Sequence, residues 1–289
     1  MPRPSPSNRA LTVIGRGGGL GTVLRALRRA NVEIDVIVAV AEGPSPTATA
    51  DDALPDEAAL SELRRSLQAL AGDRAALARA LRRPLSIDRL GRHPLGNLML
   101  QSLNAAFDDL TAASEWLGDQ LGIAGAVLPA TSGPLRCEVE PGPNGPRLRF
   151  EPPDPPVSDL VIAAIRGARW ILLAPGAALP AVLPAAGVPT IAAELTDAPG
   201  QVLWICDCAP DAVGSLSEQL DALHRHGVRI DAVLYDPRAR GNLDSRRLSA
   251  LGIYEVPRRL LDAATGSHDR RLLLEALQEL ISSLGYQHA

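Results

Sequence analysis

The chain has 289 residues, 46% hydrophobic and 21% charged, enough to bury a sizeable core as one large α/β domain or two smaller ones. A net charge of −4 and a pI near 5.8 give no broad attraction to nucleic acid or an anionic membrane, and no apolar run reaches the ~20 residues that span a bilayer. There is no lysine, every fixed cation being arginine, which excludes a P-loop and lysine Schiff-base chemistry.

The opening "MPRPSPSNR", residues 1–9, lacks the apolar centre of a signal peptide and reads as a disordered tail on a cytoplasmic protein. Residues 10–289 read as one domain. "ALTVI" has the continuous apolarity of a buried parallel strand, "TVLRALRRA" the pattern of an amphipathic helix, and "IDVIVAVA" at Ile34 to Ala41 that of a second strand. Strand, glycine turn, helix, strand is a βαβ opening. "EGPSPTATADDALPDE" then predicts a long loop at the carboxyl end of a strand, where open α/β sheets bind ligands.

From Glu57 to Arg83, leucines at 60, 63, 67, 70, 77 and 81 with arginines on the other side predict a helical insertion on the sheet edge. "PLGNLMLQSLNAAF" and "LTAASEWLGDQLG" continue as helices before a strand at Gly125 to Thr131. "PLRCEVEPGPNGPRLRF" alternates on both sides of Pro-Asn-Gly, as a β-hairpin does. The rest alternates: helix Val157 to Arg166, strand "WILLA", turn "PGAALP", helix, strand "QVLWICD", helix "SLSEQLDALHRH", strand "IDAVLYD", a helix, strand "IYEVP", and a last helix from His268. The expected fold is α/β and Rossmann-like: a doubly wound, mostly parallel sheet with a helical insertion and a β-hairpin.

A few stretches could carry chemistry. "GRGGGLG", Gly15 to Gly21, misses G-x-G-x-x-G because its sixth position is Leu20. Even so, Gly15, Gly17, Gly18 and Gly19 leave backbone N–H groups and a helix N-terminus open to an anion, and Arg16 could add a bidentate contact. A tight turn serving only close backbone approach would use the same glycines. Glu42, Asp51, Asp52, Asp56 and Glu57 supply carboxylates enough for a divalent ion, but their spacing matches no metal motif, and solvated loop charges explain them more simply.

His93 and Asn97 flank a Pro-Leu-Gly step. With Pro94 in a first helical turn, the Asn97 amide contacts a ligand or caps the backbone. Pro175 and Gly176, in "LLAPGAALPAVLP", open a second anion-compatible helix start, and two such edges around one crevice suit a diphosphate. His224 and His226, two apart on a helix, read as surface residues near its C-terminus. Three cysteines, Cys206 and Cys208 among them as C-x-C without a partner pair, read as buried structural thiols. No G-x-S-x-G, H-E-x-x-H or zinc-deaminase pattern occurs.

Taken together, "GRGGGLG", "HPLGNL" at His93 to Leu98, "AVLPAT" ending at Thr131, "APGAALPAVLP" and "ICDCAPDAVGSLSEQLDALHRHGVRIDAVLYD" resemble, in order, the motifs of the gluconeogenesis-factor (YvcK-like) family, related to 2-phospho-L-lactate transferase (CofD). The resemblance runs from Leu11 to Asp236. It implies a crevice holding a nucleotide or nucleotide sugar, with Gly15, Gly17, Gly18, Gly19 and Asn97 as pocket residues. Arg16, Glu42, Asp56, His93, Thr131, Pro175 and Gly176 join them as ligand-binding candidates. For the gluconeogenesis-factor branch it implies UDP-sugar binding and a role in cell shape and growth on gluconeogenic carbon. The transferase branch implies transfer of a phospholactyl group from a guanosine diphosphate donor to a deazaflavin, with a metal.

The chain departs from the pattern where the chemistry would lie. The family's D-D-G-G-S-S-G loop is here "AEGPSPTATADD", keeping Glu42, and its P-G-D-[IL]-R segment is "LPDEAAL", keeping Asp56. Arg16 and Gly18 replace a glycine and the threonine of the first turn. The expected function is therefore a non-catalytic regulator that binds a nucleotide sugar. A phospholactate-type transferase, the one case calling for Mg²⁺, is the alternative. A scaffold whose crevice is filled by Arg16 and the Pro-rich loop is a third. The oligomeric state, a homo-oligomer included, stays open.

Overall fold

A computed structural model describes residues 11–28, 32–41, 57–72, 76–87, 91–206, 214–239, 244–262 and 264–285. The predicted tail, the loop with Glu42, Asp51, Asp52 and Asp56, and Cys208 lie outside the described residues. Strand β1 (Leu11–Gly15) leads into helix α1 (Gly17–Leu27) and β2 (Ile34–Val38). Helices α2 (Glu57–Ala71) and α3 (Ala76–Ala80) precede a short antiparallel hairpin of β3 (Pro84–Ile87) and β4 (Gly91–Pro94). Then come α4 (Leu95–Phe107), α5 (Leu110–Gln120), β5 (Val127–Pro129) and a second hairpin, β6 (Arg136–Glu140) with β7 (Arg147–Glu151).

The second half alternates as expected. It runs through α6 (Asp159–Gly167), β8 (Trp170–Leu173), a π-helical turn (Ala178–Val182), α7 (Leu183–Ala186), α8 (Pro189–Asp197) and β9 (Gln201–Ile205). It ends with α9 (Leu216–Arg225), β10 (Ala232–Tyr235), α10 (Ser245–Ala250), β11 (Tyr254–Pro257) and α11 (Arg270–Gly285).

One expectation is refined and one corrected. The helical insertion expected from Glu57 to Arg83 consists of two helices, because Gly72 takes a φ of +72° and stops α2, and Pro84 then opens a strand. The arginines of α2 are also not all on its outer side: Arg64 is buried. Helix starts are secured locally, as at α9, where Ser215 and Glu218 form a reciprocal capping box.

Seven strands form one parallel sheet in the order β11-β10-β9-β8-β1-β2-β5. Both faces are covered, which is why the strands read as unbroken apolar runs. In β1, Leu11 and Val13 pack with Leu20, Val23 and Leu24 of α1 and Leu277 of α11, while Ile14 joins Val182, Leu183 and Ile191 on the opposite face. The β6–β7 hairpin alternates as predicted, sending Cys137, Leu148 and Phe150 into that second core. Among the described residues no single helix is long and apolar enough to cross a membrane.

Candidate functional site

The chain moves outward from β1 through β2 to β5, then returns to the other flank of β1 as β8 and continues to β11. Helix α1 packs on one face of the sheet, and α7 and α8, the helices directly after β8, pack on the other. The carboxyl ends of β1 and β8 are therefore a topological switch point, the place where open α/β sheets hold ligands.

The two turns singled out in the sequence meet here. Gly19, in the first turn of α1, lies so near the Pro175 carbonyl that a Cβ would stand 1.7 Å from its oxygen. Only glycine allows this approach. Gly15 ends β1 against Ala174, whose amide donates to the Ile14 carbonyl at 2.9 Å. Gly18 is exposed on the open side of the turn, and Gly176 has open space except toward Ala181.

Arg16 lies across the opening. Its Nε donates to the Pro180 carbonyl at 2.5 Å and its guanidinium to the Ala41 carbonyl at 3.4 Å, which joins the β8 turn to the end of β2. Burial lowers its pKa from the ordinary value, and Glu62 and Cys137 oppose that effect. Burial in turn pushes the Cys137 thiol up to about 11, so this cysteine beside Arg16 is a neutral packing group. The Gly17 amide, one of the unpaired donors at the start of α1, donates to Glu62 Oε2 of α2 at 2.7 Å. Glu62 Oε1 accepts from Arg65 at 3.1 Å.

Asn97 is wholly buried and is not a helix cap. Its Oδ1 accepts from Arg64 Nε at 2.8 Å and its Nδ2 donates to Ser61 Oγ at 2.9 Å, so the amide ties α4 to α2. Gly96 leaves room for the Arg64 stem, whose Cδ would lie 2.6 Å from an added Cβ. His93 is buried in β4 opposite Leu85, and Thr131 is buried with its hydroxyl donating to the Gly133 carbonyl at 3.0 Å. The structure thus brings Gly15 to Gly19, Pro175 and Gly176 together, and sets Asn97 behind them as a brace of α2.

Glu62, Ser61 and Arg64 are the site residues that sequence reasoning missed. One signal was available: Gly96 sits inside a helix where no turn requires it, which marks a close approach. Among the described residues no three His, Cys, Asp or Glu side chains converge as a metal set. A separate cleft of about 450 Å³ lies between β7, α8 and the end of α9, and no switch-point residue lines it.

The fold agrees with what the chain is similar to. The family model described as 2-phospho-L-lactate transferase CofD matches residues 11–250. A putative gluconeogenesis factor of Deinococcus radiodurans is 27% identical over 93% of this chain and 65% of its own length. The gluconeogenesis factor of Bacillus subtilis is 27% identical over 75% of this chain and 74% of its own. The chain therefore spans less than two thirds of the Deinococcus relative. A crystal structure of a UPF0052-family protein from Bacillus halodurans superposes with a TM-score of 0.77 at 22% identity, covering 94% of this chain and 99% of that one. The chain belongs to the CofD family, with homologues named gluconeogenesis factor.

Proposed function

We propose that this chain is a divergent, non-catalytic family member that binds a nucleotide sugar of the UDP type at the β1–β8 switch point. It would act in the cytoplasm as a regulator of cell shape or of central carbon and cell-wall metabolism. One observation carries the ligand claim: the Gly17 amide already holds a carboxylate, so the glycine turn has the polarity of an anion seat. The relatives' name, gluconeogenesis factor, supports the link to central carbon metabolism. The replaced acidic loop, "AEGPSPTATADD", supports the absence of transfer chemistry.

Calorimetric titration with UDP, GDP and UDP-sugars, with and without magnesium, tests this. Saturable binding of a uridine diphosphate ligand is expected; no heat from any of them overturns the ligand claim.

The description of the matching family model favours a second function, phospholactyl transfer to a deazaflavin. Glu42, Asp51, Asp52 or Asp56 would then replace the family's paired aspartates, and bound Mg²⁺ would neutralise the diphosphate of the donor. Incubation with donor and acceptor, read by mass spectrometry, decides it. Absence of a phospholactyl product from a folded, ligand-binding protein rejects transfer.

A further inference from the structure

Helix α1 has no acidic residue in its own first turn, and its N-cap, Arg16, supplies no side-chain cap. The carboxylate on its N-terminus comes from another helix, 45 residues away in sequence. Glu62 is largely enclosed, with 15% of its side chain exposed, and its second oxygen is held by Arg65. A carboxylate so placed satisfies a backbone donor and the positive end of the helix dipole, as a ligand phosphate would.

The facing helix start is filled in a parallel way. Gln219 of α9, 4% exposed, accepts from the Ala178 amide through Oε1 at 3.2 Å. Its Nε2 is buried and has no hydrogen-bond partner among the described residues, on an amide whose oxygen is held at the Pro175–Ala178 turn. Buried donors are rarely left so, and an acceptor arriving with a ligand would satisfy it. Both helix starts at the switch point are thus occupied by side chains from neighbouring helices.

We propose that Glu62 is a built-in competitor for the anion seat, displaced when a diphosphate binds, and that it thereby sets both the affinity and the charge a ligand needs. The inference rests on the ligand claim made above. The neighbouring contacts of Ser61 and Arg64 with Asn97 hold α2 in place, so the exchange needs only the Glu62 side chain to swing out. A ligand with a single negative charge gains little by replacing one carboxylate with another. A diphosphate carries more charge than the group it expels and wins the exchange.

The test compares the unchanged chain with Glu62→Gln and Glu62→Ala, using UDP and inorganic pyrophosphate as probes and far-UV circular dichroism to verify folding. Removal of the competitor strengthens binding of both probes, by about tenfold for alanine and less for glutamine, which still accepts from Gly17. Folded variants that bind equally or more weakly, while the unchanged chain binds, overturn the competitor and leave the site standing. If the unchanged chain and the variants bind neither probe, the site and the competitor fall together. Should both variants fail to fold, the Gly17 amide resonance of the unchanged chain decides. Its movement as pyrophosphate is added supports displacement, and binding without movement overturns it.

Discussion

Asn97 holds Arg64: the buried amide oxygen accepts from the guanidinium Nε at 2.8 Å, while Gly96 beside it gives the arginine stem its space. Arg64 is 8% exposed, so its charge depends on acceptors provided by the fold, Gln68 Oε1 at 3.1 Å among them. Asn97→Ala removes one acceptor from a buried cation and strands Ser61 as well. The expected loss of stability is about 2–3 kcal/mol. Asn97→Asp, which keeps the acceptor for Arg64 and can accept from the Ser61 hydroxyl in place of donating to it, should cost less. Urea denaturation of the two variants tests the ranking, and an equal loss in both would show that Arg64 does not need this acceptor.

Gly19 and Gly18 are adjacent, yet they should respond in opposite ways. A Cβ at Gly19 would meet the Pro175 carbonyl, which is backbone and cannot swing aside, whereas nothing lies within 4 Å of a Cβ at Gly18. Gly19→Ala is expected to cost about 3 kcal/mol or more through forced separation of the two turns. Gly18→Ala is expected to be neutral or slightly stabilising, since alanine favours a helix. Paired thermal unfolding measurements check this.

The contrast explains how much was legible in the sequence. The parallel strands were readable because burial on both faces leaves an apolar run such as "LTVI" or "WILL", and the β6–β7 hairpin because Cys137, Leu148 and Phe150 alternate with charged neighbours. A crevice between two glycine-bearing turns was expected from the stretches after the first strand and after "WILLA", but that β8 lies beside β1 comes from the sheet order. Glu62 was not readable, because what matters is its position against Gly17, and that is set by the packing of α2 on α1. The β3–β4 hairpin escaped notice because each strand has only four residues and carries no alternation. Asn97 was placed near the start of its helix correctly, but the partner that turns it inward lies 33 residues earlier.

Asp236 fastens the end of β10 to the segment after β11. Its carboxylate accepts from the amides of Arg238, Leu260 and Leu261 at 2.8, 2.8 and 2.9 Å, and from the Arg238 guanidinium at 2.7 Å. Burial opposes its ionisation, but these donors outweigh burial and hold its pKa below the ordinary carboxylate range. A depressed folded pKa stabilises the protein fully above the unfolded value near ~4, and that contribution is lost as pH falls toward the folded value. Asp236→Asn is therefore expected to cost about 3 kcal/mol at neutral pH. The gap between variant and parent should be flat above pH ~5 and narrow below pH ~4, as measured by denaturation across that range.

His226 is not the plain surface residue that its helix position predicted. Its Nε2 accepts from the Leu148 amide at 2.9 Å, so Nδ1 carries the proton and donates to the Ala222 carbonyl at 2.7 Å. The ring thus pins the β6–β7 hairpin to the end of α9. His226→Ala leaves the Leu148 amide without its acceptor, for an expected loss of about 1–2 kcal/mol. The readout specific to this contact is amide hydrogen exchange at Leu148, which should accelerate while exchange in β1 and β8 stays unchanged.

Arg16 either supports an anion in the glycine turn or keeps one out. Its Nε and guanidinium are committed to the Pro180 and Ala41 carbonyls, so the side chain is fastened over the crevice. Those acceptors are neutral, however, and the charge that balances Arg16 electrostatically is Glu62, the carboxylate already on Gly17. An anion at Gly17 therefore lies beside a fixed cation, and the field there favours a diphosphate. Arg16→Gly should weaken UDP binding by about tenfold in the same calorimetric titration, an effect of the size expected for one lost charge-assisted contact. Tighter binding by the glycine variant would instead mean that the bridge from Pro180 to Ala41 closes the crevice, and that Arg16 obstructs the seat.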